Sequence, residues 1–340
     1  VSSRAPITIL GPGIDAHPAL RAWDRVDGRG IQPVKVEVWR ELPANQPASV
    51  YRLVFRDGRM PAVFAKHSET RFGAVERVCY EAILPSVRVS SPTYYGSLQD
   101  DDGSWWLFVE DAGREWYSLG DPEHRRLAGH WIGRLHRDGA CVAAARTLPP
   151  AGPRRYLRHL RAARDRIERN FANPGLTGSD RDVLRASLAL QDHVESRWER
   201  IERACEGPPE TLVHGDFQPK NIRIRPGAPA AALFALDWEM AGWGSPAVDL
   251  APPAAADVMS QVDLEAYAAE VCAAWPGVDA AAIRRLCVVG LVLRRLAAMD
   301  WAGESLHFED PRSLSDPVES LRFLNCSLAR GLEAAGEWLR

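Results

Sequence analysis

Near residue 110 the hydrophobic period of this chain changes, and that change limits what the chain can fold into. Upstream, "VKVEVW" (34–39), "VYRLVF" (50–55), "PAVFAK" (61–66), "PTYYGSL" (92–98) and "SWWLFVE" (104–110) alternate or run apolar over strand lengths. The Asp-Gly pair in "RDGR" (56–59) marks a tight hairpin. One helical stretch interrupts them. "TRFGAVERVCYEAIL" (70–84) spaces Val75, Val78, Cys79, Ala82 and Ile83 on a helical period, with Thr70 placed to cap its start and Pro85 to end it. Downstream, Ala-, Leu- and Arg-rich segments at 123–137, 154–171, 180–206, 263–275, 281–302 and 316–339 read as helices around one β-like island, 211–237. The expected fold class is α+β and bilobal. An N-terminal antiparallel sheet plus helix over 1–110 joins a larger, mainly helical lobe over 111–340, with a cleft between them.

At 340 residues the chain can build a core in each of two lobes. Its net charge of −3 supplies no global field to gather nucleic acid or an anionic membrane. The Arg-rich helix "RRYLRHLRAARDRIER" (154–169) carries its own Asp165 and Glu168 and reads as a solvated face. The longest apolar run, "LCVVGLVL" (286–293), lies between Arg284, Arg285, Arg294 and Arg295 and is too short to span a bilayer, so it reads as a helix in a core. The N-terminal residues lack the pattern of a secretory signal. Six cysteines without a CxxC pair read as reduced, mostly buried thiols. The expectation is a cytoplasmic protein with no nucleic-acid or membrane partner.

Inside the island, "LVHGDFQPKN" (212–221) sets five polar side chains directly after an apolar pair, which is costly unless each has a partner or a task. "IRIR" (222–225), a turn-rich segment and "LFALDWE" (233–239) then form a hairpin. Its return strand delivers Asp237 near where the outgoing strand left Asn221, so Asp216, Asn221 and Asp237 can converge at one end. Hard oxygen donors of that kind suit Mg²⁺.

"HGDFQPKN" followed by "LDWEMAGWGSPAVDLA" resembles the aminoglycoside phosphotransferase and choline kinase-like family, which shares the bilobal protein-kinase fold. "VYRLVF", "VFAK", the helix with Glu76, "LFVEDAG" and "WIGRLHRDG" extend the resemblance over most of the chain. It implies ATP as the nucleotide, with GTP as the alternative, and Mg²⁺. It implies Asp216 as the catalytic residue that accepts or orients the proton of a substrate hydroxyl, and Asn221 and Asp237 as metal ligands. His214 is implied to brace the loop, and Asp249 to cap its backbone amides. Glu239 is read as solvated or bonded to the loop. Gln218 stands where protein kinases place a lysine, and Lys220 is left either solvated or phosphate-facing.

Basic charge is almost wholly arginine, since Lys35, Lys66 and Lys220 are the only lysines. By the same resemblance Lys66 is the phosphate-binding lysine, paired with Glu76 in preference to Glu81. Backbone groups from Val109 to Asp111 meet the base edge, and Phe108 lies behind the base. The loop 43–49 covers the phosphates with Asn45, Gln46 and Ser49, because it lacks the glycines of a GxGxxG turn.

The partner is a hydroxylated small molecule. An aminoglycoside or other antibiotic would suit the acids around Asp300, Glu304, Glu309 and Asp310. A choline-like amino alcohol would suit Trp301 and Phe308 beside those acids, although both rings can equally be core. A catalytically silent kinase-fold binding module and a metal-dependent hydrolase using His214 and Asp216 are the competing classes. The oligomeric state is not legible.

Overall fold

The computed structural model describes residues 7–9, 14–27, 30–40, 48–56, 60–227, 230–253 and 260–336. The chain divides into two compact units: residues 1–117 with 220–241, and residues 118–219 with 242–340. Set beside the expected break at Glu110, the first unit runs to Tyr117 and also takes the segment that holds the hairpin.

The first unit opens with β1 (Ile7–Ile9), α1 (Pro18–Val26), β2 (Pro33–Arg40), β3 (Ala48–Phe55), β4 (Val63–Ser68) and α2 (Thr70–Val78). It continues with β5 (Tyr94–Gln99), β6 (Trp105–Glu110) and the short β7 (Glu115–Trp116). The first six strands make one antiparallel sheet in the order β1-β2-β3-β4-β6-β5. Strand alternation gives it two distinct faces. On one, Val36, Leu53, Phe55, Val63, Ala65 and Phe108 pack with Trp23 of α1, whose ring meets Phe108 edge-on at 5.3 Å. Helix α1 was not expected, although "HPALRAW" carries its start signal: the His17 ring accepts from the Ala19 N–H, and Pro18 occupies the first turn.

The helix expected over 70–84 is interrupted. After α2 the chain widens into a π-turn at Cys79–Ile83, closed by the Leu84 N–H on the Cys79 carbonyl, and tightens to a 3-10 turn at Leu84–Ser86. Thr70 does not cap α2. The N-cap is Glu69, and the Thr70 hydroxyl donates to the Gly103 carbonyl at 2.8 Å. The Asp-Gly turn at 57–58 and residues 43–47 of the expected phosphate loop lie outside the described residues.

The second unit begins with α3 (Pro122–Gly139), α4 (Pro153–Asn170), α5 (Gly178–Glu195), α6 (Trp198–Cys205) and β8 (Thr211–Val213). One helix was expected over 180–206, but Arg197 leaves helical geometry (φ −117°, ψ 15°) and splits it so that Trp198, Ile201 and Cys205 turn inward. The chain returns to the first unit for β9 (Ile222–Arg225) and β10 (Ala232–Ala235), the expected hairpin, with Ile222 opposite Ala235. Strand β7 adds to its free edge. The second unit then finishes with β11 (Gly242–Gly244), which pairs with β8, and α7 (Ala247–Leu250), α8 (Leu264–Val271), α9 (Ala280–Gly303) and α10 (Pro311–Ala335). Helix α9 is the buried helix expected of "LCVVGLVL". Its Gly290 lies so close to α7 that an added Cβ would sit 1.9 Å from the Ala247 carbonyl oxygen, so only glycine permits the approach.

Candidate active site

The first unit carries a cavity of about 530 Å³ on the sheet face opposite Trp23. Period-two alternation sends Phe64 and Lys66 of β4 and Leu107 and Val109 of β6 to that side, where Lys66 pairs across the strands with Val50 and Leu107. Lys66 Nζ lies 2.8 Å from Glu76 and 3.0 Å from Glu239, and it also bonds Asp237. Burial alone would favour the neutral amine, but these three carboxylates outweigh it and hold the Lys66 ammonium protonated well above the usual lysine range. Burial pushes the Glu76 carboxyl up, and the charges of Asp237 and Glu239 add to that against the pull of Lys66.

Asp237 reaches Lys66 through an unusual backbone. With φ 67° and ψ 64° it is the one non-glycine residue at positive φ among the described residues. Aspartate tolerates this left-handed state better than most residues, at a cost of about 1 kcal/mol or more. Strain of this kind marks a side chain whose direction matters. At the same end of the hairpin the Leu236 N–H donates to the Asn221 carbonyl at 2.8 Å, and Asn221 and Lys220 both line the cavity.

The second unit holds the loop 214–219. Asp249 is fully buried beneath it, accepting from the His214 N–H at 2.7 Å and the Gly215 N–H at 2.9 Å, with His136 Nε2 at 3.2 Å. Burial would raise the Asp249 carboxyl. The hydrogen bond and charge of His136, the charge of His214 and the loop amide outweigh it and hold Asp249 below the ordinary carboxylate range. Tyr267 completes the arrangement on the other nitrogen of His136 at 3.0 Å. The Asp216 N–H donates to His214 Nδ1 at 3.3 Å, and the Gln218 amide donates to the Asp216 carboxylate. Asp249 and His214 therefore brace the loop as the sequence suggested.

A sequence search among curated proteins returns no significant relative. The family model described as "Phosphotransferase enzyme family" matches residues 39–284, well over half of the chain. The chain belongs to this family. It is accordingly a small-molecule phosphotransferase with an alcohol acceptor. Solved structures agree at the level of fold. The GDP and kanamycin complex of APH(2")-IIia is 16% identical, covering 89% of this chain and 97% of that one with a TM-score of 0.58. The macrolide 2'-phosphotransferase MphH from Brachybacterium faecium, solved as the apoenzyme, is 17% identical, with 91% and 98% covered and a TM-score of 0.55. Choline kinase from Cryptosporidium parvum Iowa II is 12% identical, with 89% and 93% covered and a TM-score of 0.57.

Within this phosphotransferase the expected site residues fall into three groups. Lys66, Glu76, Val109, Asp111, Asn221 and Asp237 all line the cavity of the first unit. Asp216 belongs to the second unit. Phe108 and Ser49 are not among the lining residues: Phe108 faces the Trp23 core, and its neighbours Leu107 and Val109 face the cavity. At the hinge-like segment the Asp111 N–H is taken by the Ala62 carbonyl (2.8 Å), and the Asp111 carbonyl accepts from Arg225 (2.9 Å). Asp111's carboxylate accepts from Arg52 Nε at 2.7 Å, which keeps it at the cavity wall.

Sequence reasoning missed the partner of Glu239, which is partly exposed and pairs with Lys66. Its spacing of two from Asp237 on a 3-10 turn was the available signal. It also missed Trp39 and Trp116, half-exposed rings at the cavity, with Arg223 stacked 3.4 Å over the Trp116 centroid. Three of the four acids near residue 300 are already engaged. Asp300 accepts from His159 (2.8 Å) and Arg166, Glu304 pairs with Arg166 at 3.2 Å, and Asp310 caps α10. Trp301 and Phe308 are half exposed and do not pack as core rings. No helix among the described residues is long and apolar enough to cross a membrane.

Proposed function

We propose that this phosphotransferase moves the γ-phosphoryl group of ATP to a hydroxyl of a small natural product, with GTP as the second nucleotide to test. The observation that carries the reading is the cluster at Lys66: one ammonium faces three carboxylates in the wall of a cavity large enough for a nucleotide. The lobe expected over 1–110 binds the nucleotide. The lobe of 111–340 lends the first unit its hairpin and retains Asp216.

The donor set fits a divalent cation. Ligand oxygens of Glu76, Asp237 and Glu239 come within 4.8 Å of one another, and one ammonium leaves two negative charges among them. Asn221 and Asp237 would hold Mg²⁺, which when bound supplies charge neutralisation to the phosphates. Lys66 binds phosphate oxygens and Glu76 keeps its ammonium in place. Val109 and Asp111 flank the base from the cavity wall, with Phe108 supporting that strand from behind; Ser49, on the other face of β3 from Val50, is not assigned a contact. Asp216 orients the acceptor hydroxyl and takes its proton, a positioning role worth about 10²- to 10⁴-fold in rate.

Relatives described as complexes or kinases of kanamycin, macrolides and choline support a hydroxylated acceptor. We place antibiotics first in the acceptor panel, and resistance in the host as the biological consequence. The six free thiols and the demand for nucleoside triphosphate support a cytoplasmic location. The test is transfer of labelled γ-phosphate from Mg·ATP to a panel holding aminoglycosides, macrolides, choline and amino alcohols. Transfer that disappears in Asp216→Ala is expected. ATP binding without transfer to any acceptor or to water would make the fold a silent binding module. Metal-dependent hydrolysis of the panel without nucleotide would make it a hydrolase.

A further inference from the structure

Two adjacent arginines on α9 are shut away from solvent: Arg294 is 7% exposed and Arg295 1%. The sequence alone read them as the polar margin of an apolar run. Arg295 is a finished strut, donating to the Pro252 carbonyl (3.3 Å), the Pro253 carbonyl (3.1 Å) and the Ser327 hydroxyl (2.7 Å). Arg294 is not finished. Its Nη2 donates to the Val248 carbonyl at 2.9 Å and reaches the Phe217 carbonyl at 3.5 Å. Its Nη1 is shielded from solvent and has no hydrogen-bond partner among the described residues.

A buried cation without a directly paired carboxylate costs several kcal/mol, and a methionine in the same helical position would pack at less cost. The place it occupies explains why it is there. Gly290 brings α9 against Ala247, and Arg294, one turn on, extends between the segment that carries Asp249 and the loop that carries Asp216. The charges within its reach are those of Asp216 and Asp249, with Tyr156 and Cys287 beside them and Arg295 adjoining. His136 and His214 face the Asp249 side of the same pocket.

We propose that Arg294 is a positioning residue of phosphoryl transfer: its Nη2 bridges the Phe217 and Val248 carbonyls, and its uncommitted Nη1 sets a positive charge beside the loop that aims Asp216. This rests on the function proposed above. Arg294 touches neither nucleotide nor acceptor in this role. Burial lowers the guanidinium from its usual value, while the two nearby aspartates act in the opposite direction to keep the charge in place. The effect should therefore appear in turnover and not in substrate affinity.

The test measures phosphate release from Mg·ATP with water as the acceptor, together with the KM for Mg·ATP and the thermal melting temperature. Arg294→Met should lower kcat about 10- to 100-fold with KM within about twofold, and Arg294→Lys should fall between, since one lysine nitrogen brings the charge but cannot both bridge the carbonyls and stand in for the second nitrogen. Millimolar guanidinium should restore turnover to Arg294→Ala and have no such effect on Arg295→Ala. Arg295→Met should lower the melting temperature while the folded fraction keeps wild-type turnover. A full wild-type kcat in Arg294→Lys overturns the proposal, and this variant decides the matter if Arg294→Met does not fold. Loss in Arg294→Met that follows the melting temperature alone, without guanidinium rescue in Arg294→Ala, also overturns it. Absence of turnover in the wild-type protein would remove the functional reading and this role with it. A full kcat in Arg294→Lys beside an active wild type removes only the role.

Discussion

Asp249 in the second unit and Glu76 in the first are both carboxylates shut away from water, and their neighbours treat them in opposite ways. Asp249 receives two loop amides and a histidine, and the hydrogen bonds hold it ionised below the ordinary carboxylate range. Glu76 shares a single lysine with Asp237 and Glu239, and its carboxyl is pushed up by burial and by their charge. The first arrangement is complete as it stands, so it belongs to the fold. The second has negative charge left over, so it is built to meet something that brings positive charge or takes the lysine.

Removing each partner should separate the two. Asp249→Ala strips an accepting group from two buried amides and His136, and an unfolding free energy lower by about 3 to 5 kcal/mol is expected in urea titrations. Asp237→Ala should instead lower the melting temperature by only a few degrees, the cost of alanine in the left-handed turn, because its side chain is 33% exposed and Lys66 keeps Glu76 and Glu239. Turnover of Mg·ATP should fall about 10²- to 10³-fold in that variant. An Asp237→Ala protein that melts early yet turns over normally would erase the contrast.

Acid offers a gentler probe of the same contrast. A carboxyl held low in the folded chain contributes stability that is fully present above the unfolded carboxylate value. That contribution is lost as pH falls through the folded value, so for Asp249 the loss lies below about pH 4. Wild-type stability should decline on that acid limb, and Asp249→Asn should flatten part of the decline. An unchanged limb would mean that the His136 and amide bonds to Asp249 do not survive in solution.

Much of this was legible because the informative signals are local. The period change near residue 110 and the hairpin 222–235 follow from strand alternation and from residues close in sequence, and the Lys66–Glu76 pairing from the family resemblance those motifs carry. What stayed hidden depends on a few degrees of backbone rotation or on distant packing. The face that Phe108 takes is set by Trp23 of α1, an element that the sequence reading passed over. Glu239 joins Lys66 only because Asp237 adopts a left-handed turn before it. The engagement of Asp300 by Arg166 on α4 requires two helices separated by more than a hundred residues to meet, and no local pattern records that.

The smallest effect tests the finest distinction, between Glu76 and Glu81. A continuous α-helix over 70–84 would set residues 76 and 81 about 140° apart, and the π-turn at Cys79–Ile83 changes that rotation without bringing the two side chains onto one partner. Glu81 consequently faces outward, where it meets Arg77 at 2.5 Å and the Tyr94 hydroxyl at 2.7 Å. An exposed pair of this kind is worth less than about 1 kcal/mol, so Glu81→Ala should shift the melting temperature by only a few degrees and leave turnover alone. Glu76→Gln removes the charge that fixes Lys66 in the cavity wall and should raise the KM for Mg·ATP or lower kcat while stability holds. If Glu81→Ala impaired turnover as much as Glu76→Gln, the lysine would have a different partner in the working enzyme.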